Sequence, residues 1–449
     1  MKKKYLSVMA LGLCLCFSSC SEDEKGSAGV DDQVGTPALS IESSSKTNEV
    51  AQFDTLSLTA ATQNMAEGAA YQWIMNGEKV SSESLYKFSQ IKAGSYMIEL
   101  TVTDKAGVTV KSQKTIDVTG KFSEGTFILN EGNMTNETGT LIYVDPKGEA
   151  IDSAYYRVNG TLLGNVCQDL FIADHKMYII SQNGARNGGE GLLTIANADN
   201  LQKIKVYNDP SKTLDWPTHL AVVGHDLYIR DNKGVYLLNE TTEALSFIAG
   251  TEGAMKNRMA VVGGRVFVMT SAKKILVLKD GAVVHTIAAP SSLSGLVKSY
   301  DGQLWASCTS PAQILKINTA DFSVMESHDL GEAKIGAGWG AVPAFSAYKD
   351  TIYFSNAGLK LYRHLFSENK TEFVANITES VPDALMNYNS LGVNPSTGEV
   401  VFATIKGYGL SYKINNIAMF NFAKTPALQY NIQNKNSFPA GVFFTYSFQ

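Results

Sequence analysis

The chain has 449 residues, which is long enough for two or three domains. Hydrophobic residues make up 44% of it, and its 38 glycines, 20 tyrosines and 20 phenylalanines favour β structure. The net charge of −5 excludes the basic surface that a phosphate backbone requires, so nucleic acid is not an expected partner.

The first 20 residues are organised like a bacterial export signal. Lys2–Lys4 form a basic start, and Tyr5–Phe17 is an apolar run too short to cross a bilayer comfortably. The run ends in FSSC at residues 17–20, which resembles a lipobox with phenylalanine in its first place. The resemblance implies a signal peptide and a lipidated Cys20 within residues 1–20, so that lipid alone would attach the protein to a membrane. The alternative is an ordinary secretory signal cleaved nearby.

Residues 21–37 are rich in glycine, serine and aspartate and have no hydrophobic period, which predicts a flexible tether. The acidic cluster EDE at residues 22–24 resembles the outer-surface export signal of certain Gram-negative lipoproteins. Together these resemblances imply a lipid-anchored protein of the outer membrane that is exposed at the cell surface. The alternative interpretation of the acidic cluster is a solvated charge run within the tether.

Residues 38–119 change to alternating strands. Trp73 lies in the strand AYQWIM at 70–75, Asn76-Gly77 makes a turn, and the long strand SYMIELTVT follows at 95–103. The arrangement W-I-M-N-G, then G-x-Y-x-I-x-L-x-V-x-D, resembles the PKD and immunoglobulin-like modules of bacterial surface proteins. The resemblance implies a two-sheet sandwich, and we interpret Trp73 as a core residue at the seam between the sheets.

From residue 122 to residue 449 one pattern repeats: a short apolar run, a tight turn and a second apolar run, as in LAVV-GHD-LYI at 220–229. Successive repeats lie roughly 40 to 50 residues apart, the period of a four-stranded propeller blade. Gly441–Tyr446 has the pattern of a first strand, but no second strand follows it. Thr126–Asn130 and Thr140–Asp145 have the pattern of second and third strands, but no first strand precedes them. Pairing the two chain ends completes a seventh blade. The predicted fold is all-β: an immunoglobulin-like β-sandwich at 38–119 followed by a seven-bladed β-propeller at 122–449.

Two further motifs carry a family resemblance. LIYVD at 141–145 resembles the Tyr-Val-Thr-Asn-type repeats of bacterial surface propellers. FILNEGN at 127–133, followed by GTL at 139–141, resembles a family of surface lipoproteins of gut Gram-negative anaerobes, some of which capture vitamin B12 for an outer-membrane transporter. The resemblance implies a non-enzymatic protein that binds a corrinoid such as vitamin B12 and delivers it to an outer-membrane transporter. The alternative is a glycan-binding or protein-interaction propeller of a surface uptake complex.

The sequence has no recognisable catalytic motif. It lacks a GxSxG elbow, an HExxH pair, a P-loop and the sialidase-type boxes of one class of enzymatic propeller. A propeller enzyme would need a cluster in the channel, and only His219 and Arg258 hint at one. Cys167 and Cys308 lie in apolar strand contexts, and we interpret them as buried thiols without a disulfide. No metal site and no cofactor are predicted, because the histidines are scattered and no Cys/His cluster occurs.

Propellers bind ligands at the mouth of the axial channel, where the loops before first strands meet those between second and third strands. In this sequence these loops are rich in aromatic and amide side chains, which suit a large, partly apolar ligand such as a corrinoid or a glycan. His219 begins a first strand and is expected in the polar wall of the mouth. The alternative is that Trp216 and Trp339 plug the channel or wedge between blades. The predicted ligand-binding residues are Trp216, His219, Arg230, Arg258, Trp339, Tyr388, Asn389, Tyr408 and Phe438.

Overall fold

The computed structural model of the protein describes residues 35–208, 213–337 and 341–445. The predicted signal peptide with Cys20, most of the predicted tether, and Trp339 lie outside these residues. The described chain is mainly β-sheet, with seven four-stranded sheets and two further sheets at its N-terminal side. Its helices are too short and too polar to cross a bilayer, as far as the described residues go.

Residues 38–119 form a sandwich of two sheets. Its strands are β1 (Ala38–Ser43), β2 (Glu49–Ala51), β3 (Leu56–Gln63), β4 (Ala70–Met75), β5 (Glu78–Ser81), β6 (Leu85–Phe88), β7 (Gly94–Thr103) and β8 (Thr109–Thr119). One sheet has the order β1-β3-β6 and the other β2-β8-β7-β4-β5. Trp73, Leu100 and Val102 are fully buried in the core of the sandwich, so Trp73 is a core residue as predicted. The immunoglobulin-like relationship of the sandwich stays a prediction.

The propeller begins with three strands and a short helix, and blades of four antiparallel strands follow. The first elements are β9 (Thr126–Asn130), β10 (Thr140–Val144), β11 (Ala150–Ile151) and α1 (Ala154–Asn159). Blade 1 consists of β12 (Cys167–Ala173), β13 (Lys176–Ser181), β14 (Leu193–Asn197) and β15 (Lys203–Tyr207). Blade 2 consists of β16 (His219–Val223), β17 (Asp226–Arg230), β18 (Val235–Asn239) and β19 (Leu245–Phe247). Blade 3 consists of β20 (Ala260–Val262), β21 (Arg265–Thr270), β22 (Lys274–Lys279) and β23 (Ala282–Ala288).

The remaining blades repeat this organisation. Blade 4 consists of β24 (Leu293–Lys298), β25 (Leu304–Thr309), β26 (Ala312–Ile317) and β27 (Val324–Asp329). Blade 5 consists of β28 (Phe345–Tyr348), β29 (Thr351–Phe354), β30 (Lys360–Leu365) and β31 (Lys370–Asn376). Blade 6 consists of β32 (Met386–Val393), β33 (Val400–Ile405), β34 (Asn415–Phe420) and β35 (Leu428–Gln433), and the last strand is β36 (Pro439–Phe444). Single turns of 3-10 helix lie at Arg186–Gly188, Phe366–Glu368, Ile377–Glu379 and Gly409–Lys413.

The last strand closes the propeller. β36 pairs antiparallel with β9, with Val442 opposite Ile128 and Phe443 opposite Phe127. The resulting sheet has the order β11-β10-β9-β36, and we call it the closing blade. Each innermost strand contacts the next one, and β36 contacts both β32 and β12. The prediction of an all-β chain with a seven-bladed propeller closed by its own ends is therefore confirmed.

Local sequence explains the hairpins between innermost and second strands. In blade 1 the two turn residues Asp174 and His175 have φ of 48° and 57°, and in blade 3 Gly263 and Gly264 have φ of 56° and 69°. Positive φ at both positions defines the type I′ turn, whose twist matches that of the strands it joins. Alternate side chains then pack between neighbouring blades, as in the cluster that joins blades 2 and 3. Cys167 and Cys308 are buried in these cores without a disulfide, as predicted.

The innermost strands of the seven blades surround an axial channel. All seven run in the same direction along it. We call the side on which they begin the upper face and the opposite side the lower face. The upper face carries the loops that precede the innermost strands and those between second and third strands of each blade, which are the loops predicted to bind a ligand.

The N-terminal sandwich contacts the lower face at blade 1. Gln52 is fully buried, and its Nε2 donates a hydrogen bond to the Asn200 carbonyl oxygen at 3.1 Å. The ring of Phe53 lies 6.1 Å from that of Phe122, edge to face. Asn200 belongs to the turn between β14 and β15, which lies on the lower face. The upper mouth of the channel therefore points away from the sandwich.

Removal of residues 439–449 should abolish the cooperative thermal transition or cause aggregation. The deletion removes β36 and exposes the edge of β9 and the sides of both neighbouring blades. Circular dichroism melting and light scattering measure the effect, and a deletion of residues 446–449 alone, which retains β36, is the matched control. A larger deletion that melts like the parent protein would show that this pairing does not hold the ring together.

Candidate functional site

The axial channel has a volume of about 250 Å³. Apolar side chains of the innermost strands, such as Leu220 and Leu296, line much of it. Four polar side chains line its upper end: Asp169, Asn257, Arg258 and Asn389. Small-molecule pockets usually measure roughly 300–1,000 Å³, so a ligand of ordinary size would have to extend beyond the channel.

Arg258 reaches across the mouth. It starts in the loop before blade 3, and its guanidinium carbon lies 4.1 Å from the centre of the Phe443 ring in the closing blade, three blades away. Its Nη1 donates to the Val442 carbonyl oxygen at 3.4 Å, and its Nε lies 3.7 Å from Asp169 Oδ1. A β-carbon on Gly441 would be 1.7 Å from Arg258 Nη2, so glycine at this position makes room for the guanidinium.

Glu131 is a buried acid at the upper end of the closing blade. Asn389 Nδ2 donates to its Oε1 at 3.2 Å, and Tyr388 Oη donates to its Oε2 at 3.4 Å. Burial raises the pKa of Glu131 to about 7, against the opposing effects of Lys256, Gln168 and Tyr388. Lys256 belongs to the same loop as Arg258, so two basic side chains of one loop interact with acids on the far side of the mouth.

Asp169 is the second buried acid. Its Oδ2 accepts a hydrogen bond from the Leu220 amide at 3.2 Å, whereas its buried Oδ1 has no hydrogen-bond partner among the described residues. Burial raises the pKa of Asp169 to about 7, although the nearby Arg258 acts to lower it. Two acids with such perturbed pKa values at one opening are typical of a functional site, since a purely structural core avoids buried charge.

His219 occupies a different position from the one expected. Adjacent residues of a strand point to opposite sides. Leu220 lines the channel, and His219 lies on the same side of β16 as Ala221, which packs between blades 2 and 3. His219 is 2% exposed, and its Nδ1 has no hydrogen-bond partner among the described residues. Burial, followed by the charges of Lys256, Arg230 and Arg258, lowers the pKa of His219 well below its usual value.

Arg230 lies directly opposite His219 in the β16–β17 pair. Its Nε and Nη2 donate to the Ala254 carbonyl oxygen at 3.1 and 3.0 Å, and its Nη1 donates to Thr218 Oγ1 at 3.1 Å. The side chain is buried. Because these bonds hold the loop that leads into blade 3, Arg230 positions the loop of Lys256 and Arg258, and its role in ligand binding stays a prediction.

Four aromatic rings pack together beside Glu131, and we call them the aromatic cluster: Tyr388, Tyr408, Tyr412 and Phe438. Phe438 stacks on Tyr412 with ring centres 4.7 Å apart and on Tyr408 at 6.3 Å. Tyr388 meets Tyr408 and Phe438 edge to face. Tyr408 is 42% exposed on the upper face, and Tyr388 and Tyr412 are buried. The cluster thus combines a rigid aromatic base with one accessible ring.

Tyr388 and Asn389 lie in a strand and not, as expected, in a loop before it. β32 begins at Met386, and the register between Asn387–Thr404 and Leu391–Phe402 shifts because three residues bulge out. Asn389 has a φ of 56°, which asparagine tolerates better than most residues. The bulge directs the Asn389 side chain to Glu131 and to the Val342 amide.

Trp216 is 51% exposed at the upper face, just before β16. This exposure does not fit the alternative in which it wedges between blades or plugs the channel. The structure therefore brings Tyr388, Asn389, Tyr408 and Phe438 together, places Arg258 across the mouth, and leaves Trp216 separate on the same face. Trp339 lies outside the described residues.

Sequence reasoning missed Glu131, Asp169 and Lys256 as site residues. Glu131 follows the strand FILN directly, and Asp169 lies inside the apolar strand CQDLFIA. The signal that could have identified Asp169 is an acidic residue within an otherwise apolar innermost strand, because such a residue is rarely buried without a partner. Lys256 and Arg258 flank Asn257 in the segment KNR, and nothing in the sequence indicates that they cross to the opposite side of the ring.

A second polar cluster lies away from the mouth, between blades 4 and 5. His328 Nδ1 is 3.1 Å from His364 Nε2, and Glu326 Oε1 lies 2.7 Å from His328 Nε2. Burial and the neighbouring His328 lower the pKa of His364 to about 4, so this histidine is neutral near pH 7. Within the described residues no group of three or more His, Cys, Asp or Glu side chains is arranged to hold a metal ion.

Glu131→Gln should flatten the pH dependence of stability. Because burial raises the pKa of Glu131 from 4.5 to about 7, the folded state holds a proton that the unfolded state releases between these values. The associated stability is complete below pH 4.5 and is lost as pH rises through about 7. The free energy of unfolding of the parent should therefore fall, relative to the variant, by up to about 3 kcal/mol between pH 5 and pH 8.

Urea denaturation at the two pH values measures this difference between parent and variant. Glu252→Gln is the matched control, since Glu252 is exposed in the loop between blades 2 and 3. Parallel pH profiles of the parent and Glu131→Gln would contradict the assignment of Glu131 as a buried acid that is half protonated near neutral pH.

Several solved structures are similar to this chain. A quinonprotein alcohol dehydrogenase-like protein from Bacteroides thetaiotaomicron aligns over 88% of this chain and 96% of its own, with 16% identity and a TM-score of 0.54. The WD40 β-propeller domain of Doa1 aligns over 59% and 82%, with 13% identity and a TM-score of 0.41. Apo AztD from Citrobacter koseri aligns over 68% and 94%, with 8% identity and a TM-score of 0.33. At 16% identity the likeness to the first of these structures concerns the fold alone.

No curated protein matches the sequence. One protein family does, and it is described as a domain of unknown function, DUF5074. The match covers residues 124–445, from the start of the closing blade to the end of β36. The chain therefore belongs to the DUF5074 family.

Proposed function

We propose that this protein binds a nutrient ligand on the upper face of its propeller and has no enzymatic activity of its own. The observation that carries the proposal is that two features lie side by side at the upper end of the channel. Two polar side chains, the buried Asp169 and the partly exposed Arg258, lie next to an aromatic cluster that exposes Tyr408. A ligand with a flat apolar face and polar groups at its edge would use both features.

A corrinoid such as vitamin B12 is the first ligand to consider. A macrocycle is too wide for a channel of about 250 Å³ whose opening Arg258 crosses, so it would lie on the upper face. There its ring could stack on Tyr408 or Trp216. Its peripheral amides could accept hydrogen bonds from Arg258 and donate one to Asp169 Oδ1, which has no hydrogen-bond partner among the described residues.

A glycan is the second candidate, and the same unpartnered oxygen of Asp169 favours it. Sugar hydroxyls donate and accept hydrogen bonds at adjacent atoms, which matches an acceptor at Asp169 Oδ1 and a donor at Arg258 Nε only 3.7 Å apart. Sugar rings also stack on exposed tyrosine and tryptophan side chains. The protein would then belong to a surface complex that takes up glycans.

The arrangement of domains supports a role at the cell surface. A lipid on Cys20 would attach the tether to the outer membrane. The sandwich would follow, and it contacts the lower face of the propeller through Gln52 and Phe53. The upper face would remain open to the medium and to an outer-membrane transporter that receives the ligand.

Trp216→Ala and Tyr408→Ala should each weaken ligand binding by about thirtyfold or more, because an aromatic anchor typically contributes about 2 kcal/mol. Isothermal titration calorimetry with cyanocobalamin, and separately with a panel of neutral oligosaccharides, measures the effect. Both side chains are exposed, so the melting temperature should stay near that of the parent. Tyr300→Ala is the comparison variant for the opposite face, since Tyr300 is 50% exposed at the lower end of the channel.

The three outcomes separate the candidates. Binding of cyanocobalamin that depends on these aromatics supports the corrinoid, and oligosaccharide binding with the same dependence supports the glycan. If the folded parent binds neither class, or if Tyr300→Ala weakens binding as much as the upper-face variants, the proposed function is wrong.

A further inference from the structure

The lower end of the axial channel carries a charge that the upper end does not balance. Among the described residues that line the channel, three have acidic or basic side chains: Asp169, Arg258 and Lys298. The first two lie together at the upper end, where Asp169 Oδ1 is 3.7 Å from Arg258 Nε. Lys298 is the last residue of β24 and therefore lies at the lower end. The two ends of the channel thus offer different chemistry.

The wall of the lower channel is otherwise mainly apolar, because each innermost strand ends there in apolar residues. Ser346 adds a hydroxyl group, which accepts a hydrogen bond from the Val393 amide at 3.1 Å. The apolar side chains of this part of the wall are Phe171, Val222, Val261, Ala347, Val393 and Phe444.

Lys298 is a partly buried amine that has no acid beside it. Its ammonium group makes no ion pair and no hydrogen bond with any described residue. Asp301, three residues further along the chain, accepts a hydrogen bond from Ser299 Oγ instead. Burial alone lowers the pKa of Lys298 below its usual value. Lys176, which is also partly buried, has its charge balanced by Glu240 at 2.5 Å.

The lower end of the channel is accessible from solvent on the side of Lys298. Tyr300 lies at this end of the channel and is 50% exposed. The N-terminal sandwich contacts blade 1 through the Asn200 turn, whereas Lys298 belongs to blade 4 on the other side of the ring. A small ligand can therefore reach the channel from the lower face.

We propose that the lower half of the channel binds the anion of a short- or medium-chain carboxylic acid, with its carboxylate at the Lys298 ammonium and its alkyl chain among the apolar side chains. Charge complementarity selects the head group, because a carboxylate accepts a charge-assisted hydrogen bond from an ammonium that has no other partner. The apolar wall selects the chain, since its burial is favourable.

The size of the channel restricts the ligand to a small molecule. Its volume of about 250 Å³ lies below the roughly 300–1,000 Å³ of ordinary small-molecule pockets. The site lies at the opposite end of the channel from the proposed nutrient ligand. It goes beyond the proposed function and does not depend on it.

Isothermal titration calorimetry of the full-length protein with sodium octanoate, 1-octanol and sodium acetate separates the head group from the chain. Octanoate is kept below the concentration at which it forms micelles, and we expect it to bind saturably. Octanol lacks the charge and should bind about tenfold more weakly or less. Acetate lacks the chain and should bind at least about a hundredfold more weakly.

Lys298→Met should weaken octanoate binding about tenfold and leave octanol binding unchanged, because it removes the ammonium group and keeps an unbranched side chain. Lys349→Met is the matched control. Lys349 is an exposed lysine in the lower turn of blade 5, where its ammonium lies 5.1 Å from the centre of the Tyr348 ring, and it does not line the channel.

Ala173→Phe is a second variant, which keeps the inference testable if Lys298→Met does not fold. Ala173 lines the lower channel, so a phenylalanine there should fill it and weaken octanoate and octanol binding alike. Circular dichroism checks the fold of each variant.

Any of four results would overturn the inference. The first is the absence of saturable octanoate binding. The second is equal affinity of the parent for octanoate and octanol, which would mean that Lys298 only extends its amine into solvent. The third is undiminished octanoate binding by folded Lys298→Met or Ala173→Phe. The fourth is equal weakening by Lys349→Met.

Discussion

The antiparallel pairing of β36 with β9 is the interaction on which the rest of the propeller depends. It joins the two ends of the propeller and places Glu131, at the end of β9, between blades 1 and 6. There Tyr388 and Asn389 donate to its carboxylate, and the Cys167 amide donates to its backbone carbonyl oxygen. The same pairing brings Gly441 opposite the loop of blade 3, where it leaves room for the Arg258 guanidinium. The pairing that closes the ring therefore also positions groups of the mouth.

The buried charges of the mouth are a poor source of stability. Burial of Glu131 and Asp169 raises both pKa values to about 7, and the basic side chains that compensate them come from a loop on the opposite side of the channel. Replacing buried ion pairs by apolar residues is often neutral or stabilising. A propeller that served only as a spacer would have no physical reason to keep these charges. Their presence next to an exposed tyrosine is the observation on which the proposed ligand binding rests.

The sequence predicts the fold well because the relevant signals are local. Period-two alternation and glycine or asparagine turns place the innermost strands correctly, for instance His219–Val223 and Phe345–Tyr348. The orientation of His219 could not be predicted, because a strand with apolar residues on both sides does not reveal which side faces the channel. The bulge at Asn389 and the reach of Arg258 to Phe443 depend on contacts across the ring. The composition of the loops indicated the aromatic residues of the mouth. The partners of its acids could not be predicted, because they lie far away in the sequence.

Hydrogen–deuterium exchange with and without saturating cyanocobalamin tests most directly the central claim that the upper face is the binding face. Peptides that cover the upper loops at residues 131–139, 255–259 and 406–412 report on the mouth. Peptides that cover the lower turns at residues 174–175, 224–225 and 263–264 report on the opposite side. The account predicts slower exchange in the upper loops and unchanged exchange in the lower turns. Slower exchange confined to the lower turns, or no change in either set, would contradict it.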